Sequence, residues 1–135
     1  MGASLVLFLL FPSYNLLTLP WNRIGLLPIA AGFWIIIRAW RVFVACGTTE
    51  SYREETTCLV TDDLYRYSRN PMYVGFVVAH IGLCVCCFAN LLSFAGPLFV
   101  FLVLNFHFIP YEEGRMIKQF GDDYRRYMGR VRRWV

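Results

Sequence analysis

The stretch "YVGFVVAHIGLCVCCFANLLSFAGPLFVFLVLNFHFI", residues 73–109, carries no Asp, Glu, Lys or Arg, and its turn-like break is Ala89-Asn90-Leu91. About 20 helical residues cross a hydrocarbon layer of roughly 30 Å, so the stretch reads as two spans, 73–89 and 91–109. A joint that short allows only a tight antiparallel helical hairpin. Working outward, two more apolar runs, 3–19 and 24–45, complete a set of about four transmembrane helices. The first contains Pro12, which kinks a helix. It lacks the basic n-region and small-x-small site of a cleaved leader, so it reads as a kinked span. With 135 residues, 58% of them hydrophobic and 18% aromatic, the apolar content exceeds what one soluble core of this size can hide. The mean hydropathy of +0.49 agrees. The expected fold is a single all-α integral membrane domain over 1–135, with a loop at 46–72 and an interfacial tail at 110–135.

Charge orients this arrangement. Four spans put both termini and the 46–72 loop on one side, together with every Lys and Arg except Arg23. The positive-inside rule makes that side cytoplasmic. Arg38 and Arg41 close the second span, where long side chains lift their charged heads to the interface. A basic tail beside a bilayer also attracts anionic headgroups, and no nucleic-acid partner is expected. Of five cysteines, Cys84, Cys86 and Cys87 lie in mid-span and read as small packing residues, while Cys46 and Cys58, facing the cytoplasm, are expected to stay reduced. The tail is expected to break at Pro110. Beyond it Met116, Phe120, Tyr124, Tyr127, Met128 and Val131 recur every three or four residues, the mark of an amphipathic helix. Gly121-Asp122 divides that stripe into two short helices.

The polar chemistry gathers at two places. In "RNPMY", Pro71 suits the first turn of a helix and Asn70 the cap before it. A helix start exposes unpaired N–H groups, and Arg69 adds charge, so the place suits a carboxylate. In "FHFIPYEEG", Glu112 and Glu113 stand directly beyond the last span, where a charge needs a partner. They suit an amine, a ribose hydroxyl or the nearby arginines. A hairpin brings the two places together, so Asn70 and Glu112 are expected to meet at one cytoplasmic rim, with the polarity of a zwitterion. His107, near the end of its span, is a functional candidate on account of its depth; His80 reads as a contact between helices.

The blocks "LVTDDLYRYSRNPMYVG", "YEE" and "FGDDYRRYMGRVRRW", in this order and flanking a hairpin, resemble the membrane methyltransferases grouped with isoprenylcysteine carboxyl methyltransferase and phosphatidylethanolamine N-methyltransferase, especially short bacterial members. The resemblance covers residues 47–134. It implies transfer of a methyl group from S-adenosylmethionine, a zwitterion, to a lipid or small hydrophobic acceptor. It also implies cofactor contacts from Leu59, Val60, Tyr65, Asn70, Pro71, Met72, Tyr73 and Glu112, and by likeness to the phospholipid branch from Gly47, Thr48, Thr49 and Glu113. Asn70 stands where the carboxyl methyltransferases have histidine, and Phe108 where they have a substrate-binding arginine, so prenylated protein ends are not the expected acceptor. Arg69, His107 and Glu113 are the expected catalytic groups; Glu113 or His107 would take a proton from an amine acceptor. The rival readings are an NADPH-dependent membrane reductase of related fold and a non-catalytic scaffold or transporter. Reductases need room for a dinucleotide, and a transporter places its polar residues at mid-membrane.

Overall fold

A computed structural model describes residues 21–46, 58–88 and 91–135. Every regular element among them is helical. Helix α1 (Leu26–Ala45) follows a 3-10 turn at Trp21–Gly25. Helix α2 (Pro71–Leu83) runs into a π turn at Cys84–Phe88. Helix α3 (Ala95–Val103) continues through a second π turn, Leu104–Phe108, into α4 (Ile109–Arg130). Two stretches, Trp21–Ala45 and Leu92–Arg130, are long and apolar enough to cross a membrane, and Pro71–Cys87 is a shorter apolar helix. The expected span at 3–19, the loop residues 47–57 and Ala89 and Asn90 of the expected hairpin joint lie outside the described residues.

Glycine decides how α1 meets α2. A Cβ built on Gly32 would lie 2.5 Å from the Gly75 carbonyl oxygen, and one on Gly25 would lie 2.5 Å from that of Gly82. The partners run in opposite order along the two helices, so the pair is antiparallel and its backbones touch. Spacing of seven keeps each glycine on the same helix face. Ala39, seven residues beyond Gly32, is fully buried and continues that seam. Close approach through small residues is how helices associate where lipid removes the hydrophobic drive between them. The other face of α1 leaves Leu27, Phe33, Trp34, Ile37 and Trp40 exposed, an apolar surface suited to hydrocarbon.

Three sequence expectations are corrected. The helix does not break at Pro110: proline is tolerated in a first turn, and the preceding π turn already departs from regular bonding, so the chain runs on as α4. The bend comes at Gly121, whose φ of 54° and ψ of −122° lie outside any helical region. Second, Cys46 and Cys58, read as separate thiols, are brought within disulfide range, their Cα atoms 6.0 Å apart. Arg38 Nε lies 3.1 and 2.9 Å from the two carboxylate oxygens of Asp63, tying the end of α1 to the loop that precedes α2. Asp63 itself has φ 57°, a left-handed conformation that aspartate tolerates better than most residues. Third, Asn70 holds the cap position of α2 but makes no capping bond with its side chain.

Candidate functional site

The site is built where the loop before α2, the first turns of α2 and α4, and the chain beyond α4 converge. A 3-10 turn at Asp63–Arg66 reverses the loop and buries Tyr65. The Tyr127 hydroxyl, on the last part of α4, donates to the Tyr65 carbonyl at 2.7 Å. This bond needs the bend at Gly121, because a straight α4 would carry Tyr127 away from the loop. Burial, with Tyr127 and Glu112 nearby, pushes the Tyr65 phenol well above its ordinary value, so it stays a neutral donor.

Glu112 stands beyond the apolar part of its helix, which ends at Ile109. The Tyr73 hydroxyl donates to Glu112 Oε1 at 2.5 Å, across 39 residues of chain. Burial raises the Glu112 carboxyl above its usual range, and the Tyr73 bond and Arg115 offset part of that. Glu113, the next residue, is turned the other way and buried. Arg133 grips it with a planar fork: Nε to Oε1 at 3.1 Å and Nη2 to Oε2 at 2.7 Å. On its other side Arg69 Nη1 lies 2.9 Å from Glu113 Oε1. That contact is an ion pair, Arg69 also faces the Tyr124 hydroxyl, and the buried Arg69 Nε has no hydrogen-bond partner among the described residues. Two guanidiniums against one carboxylate leave the cluster with an excess positive charge.

The expected meeting of Asn70 with Glu112 is replaced by a contact one helical turn on, from Tyr73. Asn70 Nδ2 instead donates to the Arg133 carbonyl at 2.9 Å, and its own N–H donates to Ser68 Oγ at 3.1 Å. Pro71 is buried in the first turn of α2; Leu59, Val60, Met72 and Tyr73 are half-buried nearby in the chain. Gly47, Thr48 and Thr49 fall outside the described residues. His107 is exposed on the second π turn, its ring edge-on to Phe108 at 5.4 Å, and is not brought into the cluster. His80 is buried in α2 with Phe76 edge-on at 6.5 Å.

Sequence reasoning missed Arg133, Ser68 and the Trp134–Asn105 pair. Trp134 Nε1 donates to Asn105 Oδ1 at 3.0 Å, and its ring packs 4.7 Å from Phe101. The available signal was a tryptophan closing an arginine-rich tail, since a large ring beside charges needs a surface to bury against. A cleft of about 510 Å³ opens beside the Tyr65–Tyr127 contact, lined by Asp62 and Arg66 of the loop and Arg126 and Arg130 of α4. That is within the range of roughly 300–1,000 Å³ usual for small-molecule sites.

Chemically, the rim offers a cationic Arg69 with an unpartnered Nε–H and a carboxylate at Glu112. The guanidinium fits a carboxylate and the acid fits an ammonium group, which is the pattern of an α-amino acid. The amino-acid end of S-adenosylmethionine has that pattern.

A family model described as phospholipid methyltransferase matches residues 21–123. The chain is 37% identical over 83 residues to a protein-S-isoprenylcysteine O-methyltransferase of Schizosaccharomyces pombe, a match covering 60% of this chain and 34% of that protein. It is 44% identical over 46 residues to an uncharacterized protein of Haemophilus influenzae, covering 34% of this chain and 73% of that one. The match thus spans about a third of the length of the yeast relative. No solved structure matches the chain.

Proposed function

The chain belongs to the phospholipid methyltransferase family, and from that premise we propose that it moves a methyl group from S-adenosylmethionine to a lipid-like or small hydrophobic acceptor at the cytoplasmic face of a membrane. The observation that carries this reading is that the buried Arg69 guanidinium, whose Nε has no partner among the described residues, is held by Glu113, the neighbour of Glu112, a carboxylate steadied by Tyr73.

In this reading Arg69 receives the cofactor's carboxylate and Glu112 its amine, while Leu59, Val60, Tyr65, Asn70, Pro71 and Met72 stand around the remainder; Gly47, Thr48 and Thr49 are contacts proposed from family likeness alone. S-adenosylmethionine, when bound, supplies an electrophilic methyl on a sulfonium. The protein contributes position: a well-oriented pair of reactants gains on the order of 7–11 kcal/mol over a chance encounter. Half-buried Tyr73 and Met72 exclude water from the rim, and the apolar faces of the helices let a hydrophobic acceptor approach from the bilayer. Glu113, with both oxygens already engaged by guanidiniums, holds the site together. An amine acceptor must shed a proton; His107, exposed at the edge of the span and outside the Arg69–Glu112 cluster, is the group we assign to take it.

Calorimetry on the detergent-solubilised protein tests this, with S-adenosylmethionine, its demethylated product and NADPH as ligands. The first two are expected to bind and NADPH not to. Truncating one partner of a buried charged contact costs about 2–5 kcal/mol, so Glu112→Ala should weaken cofactor binding about 30-fold or more. Unchanged affinity in that variant refutes the assignment, and NADPH binding in place of the others would favour a reductase.

A further inference from the structure

The last residues of the chain fold back as a strap, and each of its contacts lands on an element that carries a site residue. Arg69 N donates to the Arg132 carbonyl at 2.9 Å. The Arg133 carbonyl accepts from Asn70 Nδ2 at 2.9 Å and from Ser68 Oγ at 3.4 Å. The Arg133 guanidinium takes both oxygens of Glu113, and Trp134 anchors the strap against Asn105 and Phe101. The strap thus joins the loop before α2, the start of α4 and the helix leading into it.

Glu112 and Glu113 are consecutive on one helix, so their side chains leave it about 100° apart. Fixing the direction of one fixes the other. A bidentate arginine fork fixes direction better than a point charge, because two parallel hydrogen bonds define a plane. The backbone of that same arginine holds Asn70, three residues before Tyr73, so a single residue sets both partners of the Tyr73–Glu112 contact.

We propose that Arg133 is a positioning residue of the cofactor site: through Glu113 and Asn70 it aligns Glu112 with Tyr73. This rests on the functional reading above, taking S-adenosylmethionine as the ligand. Arg133 does not itself touch the ligand. Its effect therefore depends on fork geometry as well as on charge, and lysine, which keeps the charge, replaces it only in part.

The experiment compares wild type, Arg133→Lys, Arg133→Ala, Glu113→Gln and the Arg133→Ala/Glu113→Gln double variant. Each is measured for S-adenosylmethionine affinity by calorimetry and for its thermal midpoint in the same detergent. Expected is at least a tenfold loss of affinity in Arg133→Ala, a smaller loss of about threefold in Arg133→Lys, and a double variant no weaker than the worse single one, since the two act as one unit. Arg133→Ala binding like wild type overturns the inference. So does a loss of affinity that tracks the thermal midpoint across all variants with no recovery in Arg133→Lys, which assigns the fork to stability alone. If Arg133→Ala does not fold, Arg133→Lys and Glu113→Gln decide it: affinity lost at an unchanged midpoint sustains the inference, and wild-type affinity in both overturns it. Failure of the wild type to bind the cofactor refutes the functional reading, and the inference falls with it.

Discussion

Replacing Gly32 by alanine tests the seam between α1 and α2 with a single methyl group. The added carbon would meet the Gly75 carbonyl oxygen at 2.5 Å, the Ala79 nitrogen at 2.6 Å and the Ala79 Cβ at 2.7 Å. Favourable contacts lie at about 3.5–4.0 Å between carbons, so the helices must part by nearly an ångström. The obstructing atoms are two backbone atoms and a Cβ, so no rotamer change relieves them. Overpacking of this kind costs about 1–3 kcal/mol, and a gap of that size forfeits roughly a quarter to a half of each neighbouring dispersion contact. Against this stands the gain of about 1 kcal/mol when alanine replaces glycine inside a helix. The clash outweighs that gain over most of its range, for a net loss of up to about 2 kcal/mol. Gly114 is the control, since a Cβ there meets nothing within 4 Å, and Gly114→Ala should therefore be neutral or stabilising. Unfolding in mixed micelles by titration with a denaturing detergent gives both values. Gly32→Ala as stable as Gly114→Ala would show that the helices do not touch as described.

Gly121→Ala also has open space, yet its φ of 54° strains any side chain; a loss of about 1–3 kcal/mol by the same unfolding assay is expected despite the absence of a clash. Cofactor binding should fade as acidity rises. The folded Glu112 carboxyl titrates above its usual range, and the amine needs the charged form, so affinity is present above that raised value and lost as pH falls through it. Tyr73→Phe removes the bond that draws the carboxyl down, so the acid limb of a calorimetric pH series should move to higher pH, and an unmoved limb would separate Tyr73 from Glu112. Asp63→Ala loses the Arg38 clasp and keeps the left-handed strain; a drop of about 1–3 kcal/mol in unfolding free energy is expected, with Asp63→Gly falling less.

Much of the helical framework was legible because its signals are local. The apolar run from Tyr73, Pro71 in a first turn and Gly121 as a bend each follow from adjacent residues. The position of Asn70 before α2 was legible as well, but the use of its amide was not, since the acceptor is the carbonyl of Arg133, 63 residues away. Arg133 lies in "RVRRW", where nothing separates it from its exposed neighbour Arg132; only the fold-back of the strap gives it a buried carboxylate. Arg69 was legible as a charge near a helix start, and Glu112 as an acid at the rim. That Tyr73, rather than Asn70, meets Glu112 depended on the phase of two helices, which no short-range pattern reports. The glycine spacing from Gly25 to Gly32 and from Gly75 to Gly82 stood in the sequence as a sign of close approach, but two such pairs do not say which helices they join.

The repeated acid of "YEEG" shows how a chain writes two instructions in one letter. Neighbouring glutamates on a helix are set a quarter-turn and a little more apart, so the first looks towards the tyrosine and the second into the arginines for no reason except rotational phase. Inserting one residue after Tyr111 would therefore hand the first acid the second's place among the arginines and leave the inserted residue facing the tyrosine, with both acids still present. Any comparison of relatives by the mere presence of paired acids would overlook such an exchange.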